Sequence, residues 1–311
     1  MRLAPLLRLV AASALLTPLL PGTAAQAAAP AHGEAIVWSK PTGLTTDYEL
    51  FIMRPDGTSK RPLTANGQND GFPAWSPDGR LVAFESSSQT DIDVWITDGR
   101  TERNLTNDPG HANRHPSWSP DGTRLVFSRQ NPFTLAGPLY TVGLDGSAPT
   151  RLTSASESNE QPSWSPDGQE IAFVSDRSGN RDLWAIRPDG TGLRQITDTP
   201  DVQEFNPDWS PDGTRLAYDG CGSTSYPCPG NANYEILTAD PDGTNVRVLT
   251  RVAGVDANPS WSPDGSRLVF RSDRTGFTQI WTMNADGSGL LQLTTKNFQG
   301  GVDPDWGPAT S

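Results

Sequence analysis

The side chains best suited to chemistry in this chain gather at one recurring place, the residue just before the Pro of a repeated Pro-x-Trp. That position holds Phe72, His115, Gln161, Asn206, Asn258 and Asp303. Five of the six are polar, and Arg114, Glu160, Asp256 and Asp305 stand beside them. Amide and carboxylate oxygens are hard ligands, so Asn206, Asn258 and Asp303, with Gln161 or Glu160, could hold Ca²⁺, although no contiguous ligand loop is present. Arg114, His115, Glu160, Gln161, Asn206, Asn258 and Asp303 together suit a small polar pocket for a peptide, a sugar or a cation. The alternative is a solvated rim with water between the side chains.

Catalytic sets are missing. The chain has three histidines, of which His32 lies near the start and His111 and His115 sit four residues apart. Such a spacing could serve a metal pair or a general base with its neighbour, but loop histidines are commonly solvent-exposed. No Gly-x-Ser-x-Gly, His-Glu-x-x-His, phosphate loop or dinucleotide fingerprint occurs. No catalytic residue is therefore assigned, and no cofactor is expected beyond the candidate Ca²⁺.

The elements that must position these residues are repeats. Trp-Ser-Pro-Asp-Gly recurs at Trp75, Trp118, Trp164, Trp209 and Trp261, spaced by 43, 46, 45 and 52 residues, and a shortened copy at Trp306 follows after 45 more. This is the size of a four-stranded propeller blade. In the third unit Gln161–Trp164 predicts a first strand, Ser165-Pro166-Asp167-Gly168 a tight turn and Glu170–Val174 a second strand. Asp182–Ile186 predicts a third and Leu193–Thr197 a fourth. The third-strand position carries Phe51, Trp95, Tyr140, Trp184, Leu237 and Trp281, which should pack between blades. Asp78, Asp121, Asp167, Asp212 and Asp264 are explained as turn residues rather than calcium ligands.

Gly33–Trp38 matches Gly122–Phe127 but lacks a preceding motif, whereas Asp303–Trp306 supplies a first strand and stops. The two halves complement each other. The expected fold is all-β, a six-bladed β-propeller of five full repeats plus one composite, closed by pairing of the C-terminal strand with the N-terminal blade. Short uniform turns mark one face. The variable connections, such as 108–114, 155–160, 198–205 and 219–233, mark the other, where binding is expected.

Arg2, Arg8, the apolar run Leu9–Leu20 and Ala25-Gln26-Ala27 predict a signal peptide over residues 1–27, followed by a linker over 28–32 and one propeller domain over 33–308. No later run is long and apolar enough to span a membrane, so an exported protein with no membrane span after cleavage is expected. Without its leader the chain would carry a net charge of −14, and it has no basic cluster, which argues against nucleic acid as a partner. Cys221 and Cys228, the two cysteines, should bond to each other in an oxidising compartment.

The repeated Pro-x-Trp-Ser-Pro-Asp-Gly, the following Leu-Val-Phe or Ile-Ala-Phe, Ser-Asp-Arg-x-Gly at Ser175–Gly179 and Ser272–Gly276, and the closing Asp-Gly-(Thr/Ser)…Leu-Thr resemble the WD40-like repeat of TolB-type propellers. The resemblance covers Gly33–Pro308. It implies an exported six-bladed propeller that binds a protein partner at a propeller face, although the separate α/β domain that precedes the ring in TolB proper is not seen before Gly33. The repeat is also similar to that of prolyl-peptidase propellers, whose hydrolase domain has no counterpart here. The expected role is a secreted or periplasmic, monomeric, non-catalytic scaffold that binds a protein or cell-envelope component through its long-loop face. The alternative is a propeller enzyme of lactonase or polysaccharide-lyase type with Ca²⁺ at the channel mouth.

Overall fold

The computed structural model describes residues 33–42, 47–87, 91–131, 137–145, 147–222, 228, 233–295 and 301–308. The expected signal peptide and linker lie outside these residues. Every regular element among them is a β-strand, numbered β1 to β24 in chain order. The strands follow one another as antiparallel four-strand meanders, in keeping with turns too short for any other connection. Three meanders stand as separate four-stranded sheets, those beginning with β12 (Asn159–Trp164), β16 (Gln203–Trp209) and β20 (Asp256–Trp261). Two more, beginning with β4 (Asn69–Trp75) and β8 (Ala112–Trp118), are joined into an eight-stranded sheet by one parallel pairing, Ile92↔Ala112. In the remaining sheet β24 (Val302–Gly307) lies beside β1 (Ala35–Pro41), with Ala35↔Gly307, Ile36↔Trp306 and Val37↔Asp305 in register.

The repeated turn explains itself. In Ser165–Gly168 the serine hydroxyl donates to Asp167 Oδ1 at 2.7 Å and accepts the Glu170 N–H at 2.9 Å. Gly168 takes φ +72°, where a side chain would be strained. The same serine-to-aspartate bond recurs at Asp78, Asp121, Asp212 and Asp264. These carboxylates are held below their usual range by those donors, Asp121 to about 2. Their oxygens are spent on the hairpins.

Packing between meanders is apolar. Six clusters form among the described residues, each drawn from two units and each touching one motif tryptophan. Trp209, for example, packs on Val174, Leu183 and Ile196 of the preceding unit, and Trp306 joins Ile36, Trp38 and Met53 to Val269, Ile280 and Leu293. The indole N–H groups add register: Trp118 Nε1 donates to the Ala74 carbonyl at 2.9 Å and Trp209 Nε1 to the Ser163 carbonyl at 3.2 Å.

The third-strand residues Phe51, Trp95, Tyr140, Trp184, Leu237 and Trp281 pack against these clusters as expected. Trp184 and Trp281 are half-buried at the rims of theirs, and an arginine lies over each ring. Arg177 lies 4.9 Å from the Trp184 ring and 5.4 Å from Phe173, and Arg274 lies 5.0 Å from Trp281. Each arginine also bonds its own second-strand serine, Ser175 and Ser272. That is the structural content of Ser-Asp-Arg-x-Gly: a cation laid over an aromatic surface and tied at its tip.

Cys221 and Cys228 are bonded, with Cα atoms 6.7 Å apart.

Candidate functional site

Each first strand carries a β-bulge just before its Pro-x-Trp. Pairing shifts between Gly71 and Ala74, Arg114 and Ser117, Glu160 and Ser163, Phe205 and Asp208, and Ala257 and Ser260. The residue opening the bulge has left-handed φ in every copy: Phe72 +46°, His115 +54°, Gln161 +51°, Asn206 +50°, Asn258 +54° and Asp303 +49°. The following proline restricts this residue further. A bulge re-aims a side chain, and here all six, together with the six prolines, line one cavity of about 380 Å³ that passes between the meanders.

Backbone strain at six sites, on the order of 1–3 kcal/mol each, must be over-determined by neighbours. Asn206 N–H donates to Gln161 Oε1 at 3.0 Å, Asn258 N–H to Asp219 Oδ1 at 2.9 Å, and His115 N–H to Glu85 Oε2 at 3.4 Å. Phe72 N–H is held by Asp303. Each bond runs from one unit to the next, so the bulges brace one another around the cavity.

Two of these acceptors, Glu85 and Asp219, come from a position that sequence reasoning missed, the residue after the second-strand aromatic. It holds Ser39, Glu85, Ser128, Val174, Asp219 and Arg271. Five are polar where alternation in a buried strand predicts apolar residues, and that departure was the available signal. Asp219 Oδ1 also takes Asn206 Nδ2–H at 2.8 Å, and Ser39 donates to Asp303. Burial raises Asp219 to about 6 and Glu85 to about 7, against the lowering influence of Arg271 and Arg114 respectively, and it raises Asp303 as well.

Two residues further along the first strands lies a second ring: Ala74, Ser117, Ser163, Asp208, Ser260 and Asp305. Asp208 Oδ2 accepts the Trp261 N–H at 2.8 Å, and Asp305 Oδ2 accepts the Trp75 N–H at 2.7 Å. Ser260 donates to Asp305 Oδ1 at 2.8 Å. Burial and the charge of Asp305 push Asp208 up to about 8, and burial raises Asp305. Asp208 also escaped the sequence reading. Its signal was an Asp standing where four other copies carry Ser or Ala.

The other expected site residues separate. Arg114 faces Glu85 at 3.5 Å and lines a smaller adjoining cavity with Phe72 and Asp303. Glu160 is buried away from the channel in a bidentate pair with Arg181, at 2.9 and 3.0 Å. Burial raises its pKa, but the Arg181 hydrogen bond and charge outweigh that and the carboxyl ends below its usual range. His111 is exposed beside Asp108 at 3.2 Å, whereas His115 belongs to the channel wall, so the two do not act as a pair. Asn206, Asn258 and Asp303 share the cavity wall, but no group of three or more His, Cys, Asp or Glu among the described residues could hold a metal ion.

His115 shows what the arrangement can do chemically. Ser128 Oγ lies 3.2 Å from the Arg114 carbonyl and 3.3 Å from His115 Nδ1. Burial lowers His115 to about 4, which leaves a neutral ring with one nitrogen as an acceptor. The cavity is rich in acceptors and fitted to bind a donor.

Comparison with known proteins follows the geometry. The sequence profile described as the TolB beta propeller domain matches residues 35–226 and 203–310. A TolB homolog from Chlorobium luteolum is 36% identical over 146 residues, 36% of this chain and 33% of that protein. The chain spans about half or less of the length of the curated relatives it matches. TolB from Acinetobacter baumannii superposes with a TM-score of 0.74 at 22% identity, covering 88% of this chain and 67% of that one. An oligogalacturonate lyase from Vibrio parahaemolyticus superposes at 0.54 with 18% identity, covering 79% and 71%. At these identities the superpositions speak for the fold alone.

Proposed function

The chain belongs to the TolB beta propeller domain family, and on that premise we propose that it is an exported, non-catalytic, protein-binding scaffold of the cell envelope. The pairing of β24 with β1 supports a ring of six blades, the sixth assembled from both ends of the described chain. The observation that carries the functional reading is the channel lined by six bulge residues and rich in acceptors. Curated relatives include a TolB of the Tol-Pal system of Bordetella pertussis, which supports a protein partner and a periplasmic or envelope location. Capture from the native cell surface with the mature protein tests this. A specific partner is expected, and recovery of nothing at low salt would overturn the scaffold reading.

A second reading is favoured by Asn258 Oδ1, which accepts no hydrogen bond. It is an enzyme with Ca²⁺ held by Asn206, Asn258 and Asp303. A large rise in melting temperature on adding Ca²⁺, reversed by chelator and absent in Asp303→Ala, would favour it over the scaffold.

A further inference from the structure

The second ring holds two buried carboxyl groups with no cationic partner among the described residues. Around the bulge level, Glu85, Asp219 and Asp303 have Arg114 and Arg271 as electrostatic partners, and Glu160 has Arg181. One level along the channel, Asp208 and Asp305 have none among the described residues. Their interactions are backbone N–H groups, the Ser260 hydroxyl and the repulsion of Asp305 on Asp208. Two carboxylates facing one cavity without a cation are costly, and proteins keep such groups paired, protonated or bound to a ligand. A separate observation points the same way. Asn258 is 8% exposed, lines the same cavity, has its N–H fixed by Asp219, and leaves Oδ1 with no donor. A buried acceptor without a donor is itself unfavourable.

Part of the remaining wall is apolar. The prolines Pro73, Pro116, Pro162, Pro207, Pro259 and Pro304 form a collar at the bulge level. Advancing two residues along a strand covers about 6–7 Å, roughly the reach of a lysine side chain. We propose that the channel is a socket for a primary ammonium, specifically a lysine side chain of the partner protein, with its methylene stem against the proline collar and its nitrogen between Asp208 and Asp305. Asn258 Oδ1 accepts an N–H of the entering peptide. This inference rests on the scaffold reading and names the partner's chemistry within it.

The test uses the mature chain and four probes: a capped Gly-Gly-Lys-Gly-Gly peptide, its arginine counterpart, 1,5-diaminopentane and CaCl₂, each followed by calorimetry and by the fluorescence of the channel-lining tryptophans. The lysine peptide is expected to bind saturably and about 10-fold or more tighter than the diamine, because only the peptide supplies the N–H for Asn258; the reverse order would assign the socket to free polyamines instead. Asp208→Asn keeps an acceptor for Trp261 N–H and should weaken lysine-peptide binding about 10-fold or more, the usual loss for a charge-assisted hydrogen bond. Glu157→Gln, outside the channel lining, should leave binding unchanged, and a melt of each variant separates lost binding from lost folding. Binding should tighten from pH 6 to 8.5, since Asp208 must release its proton while Glu85, Asp219, Asp303 and Asp305 ionise beside it and Arg114 and Arg271 stay charged. Saturation by CaCl₂ or the arginine peptide with no response to lysine would overturn the socket. Capture of the same envelope protein by wild type and by a folded Asp208→Asn/Asp305→Asn variant would also overturn it while leaving the scaffold reading intact, whereas capture of nothing by wild type would sink the scaffold itself.

Discussion

Deleting residues 301–311 should destabilise the whole protein, because β24 is the neighbour of β1 rather than a tail. Removing it strips the ladder at Ala35, Ile36, Val37 and Ser39, worth about 1 kcal/mol per hydrogen bond. It empties the place of Trp306, 5% exposed among Ile36, Trp38, Val269 and Ile280, worth about 3–5 kcal/mol for an indole. It also takes the acceptor from the Trp75 N–H, at about 1–3 kcal/mol. Together these approach the 5–15 kcal/mol that typically holds a domain. The truncated chain is therefore expected to be largely unfolded by circular dichroism at 25 °C. Trp306→Ala, the milder perturbation, should lower the melting temperature by about 10 °C at the usual 2–4 °C per kcal/mol for a large domain. Leu193→Ser, at an exposed position, serves as the control. A truncated form that melts with the full-length midpoint would refute a ring closed by this strand.

Trp164→Ala should cost about 3–5 kcal/mol in denaturant unfolding and impair folding before recognition; unchanged stability with lost binding would contradict its place between units. Reducing the Cys221–Cys228 bond should cost about 2–3 kcal/mol in the chain-entropy account of a short loop, read as a shift in the urea midpoint, and two free thiols in the natively purified protein would disprove the bond. Asp70, Glu85 and Glu204 are raised by burial to about 7, and Asp208 by burial and Asp305 to about 8. The folded state thus holds protons the unfolded chain has already released, a stabilisation present in full at low pH and lost as pH rises through 7 to 8. The melting temperature should accordingly fall between pH 6 and pH 8.5, and a rise would show that these carboxyls are ionised in the fold. Asn206→Val places a β-branched residue at φ +50° and should cost about 1–3 kcal/mol, whereas Asn206→Gly should cost less; equal effects in a thermal melt would remove the strain argument.

Much of the fold was legible because turn chemistry is local. Ser-Pro-Asp-Gly fixes a hairpin wherever it falls, and β14 (Asp182–Ile186) lies where alternation placed it. The fourth strands proved shorter than their apolar patterns, β15 reducing to Arg194–Gln195, since an edge strand needs only a short ladder. The channel was half legible. Its lining residues follow from repeat position, but Asp208 and Asp219 gain their meaning from neighbours about 40 to 50 residues away, Trp261 and Asn258. Glu160 looked like a rim residue and is instead committed to Arg181, a partner whose approach no local pattern announces.

The six bulges carry one further consequence. Each is followed by a proline, four of them donate their N–H to an acceptor on the adjoining unit, and Phe, His, Gln, Asn, Asn and Asp all satisfy the same φ within 8°. At His115 and Asn258, whose acceptors Glu85 and Asp219 stand outside the bulges, conformation and chemical identity are set by different residues. The channel wall behaves like a short word whose letters can be exchanged singly while the page beneath stays flat, so that a change of ligand in this architecture requires no change of fold.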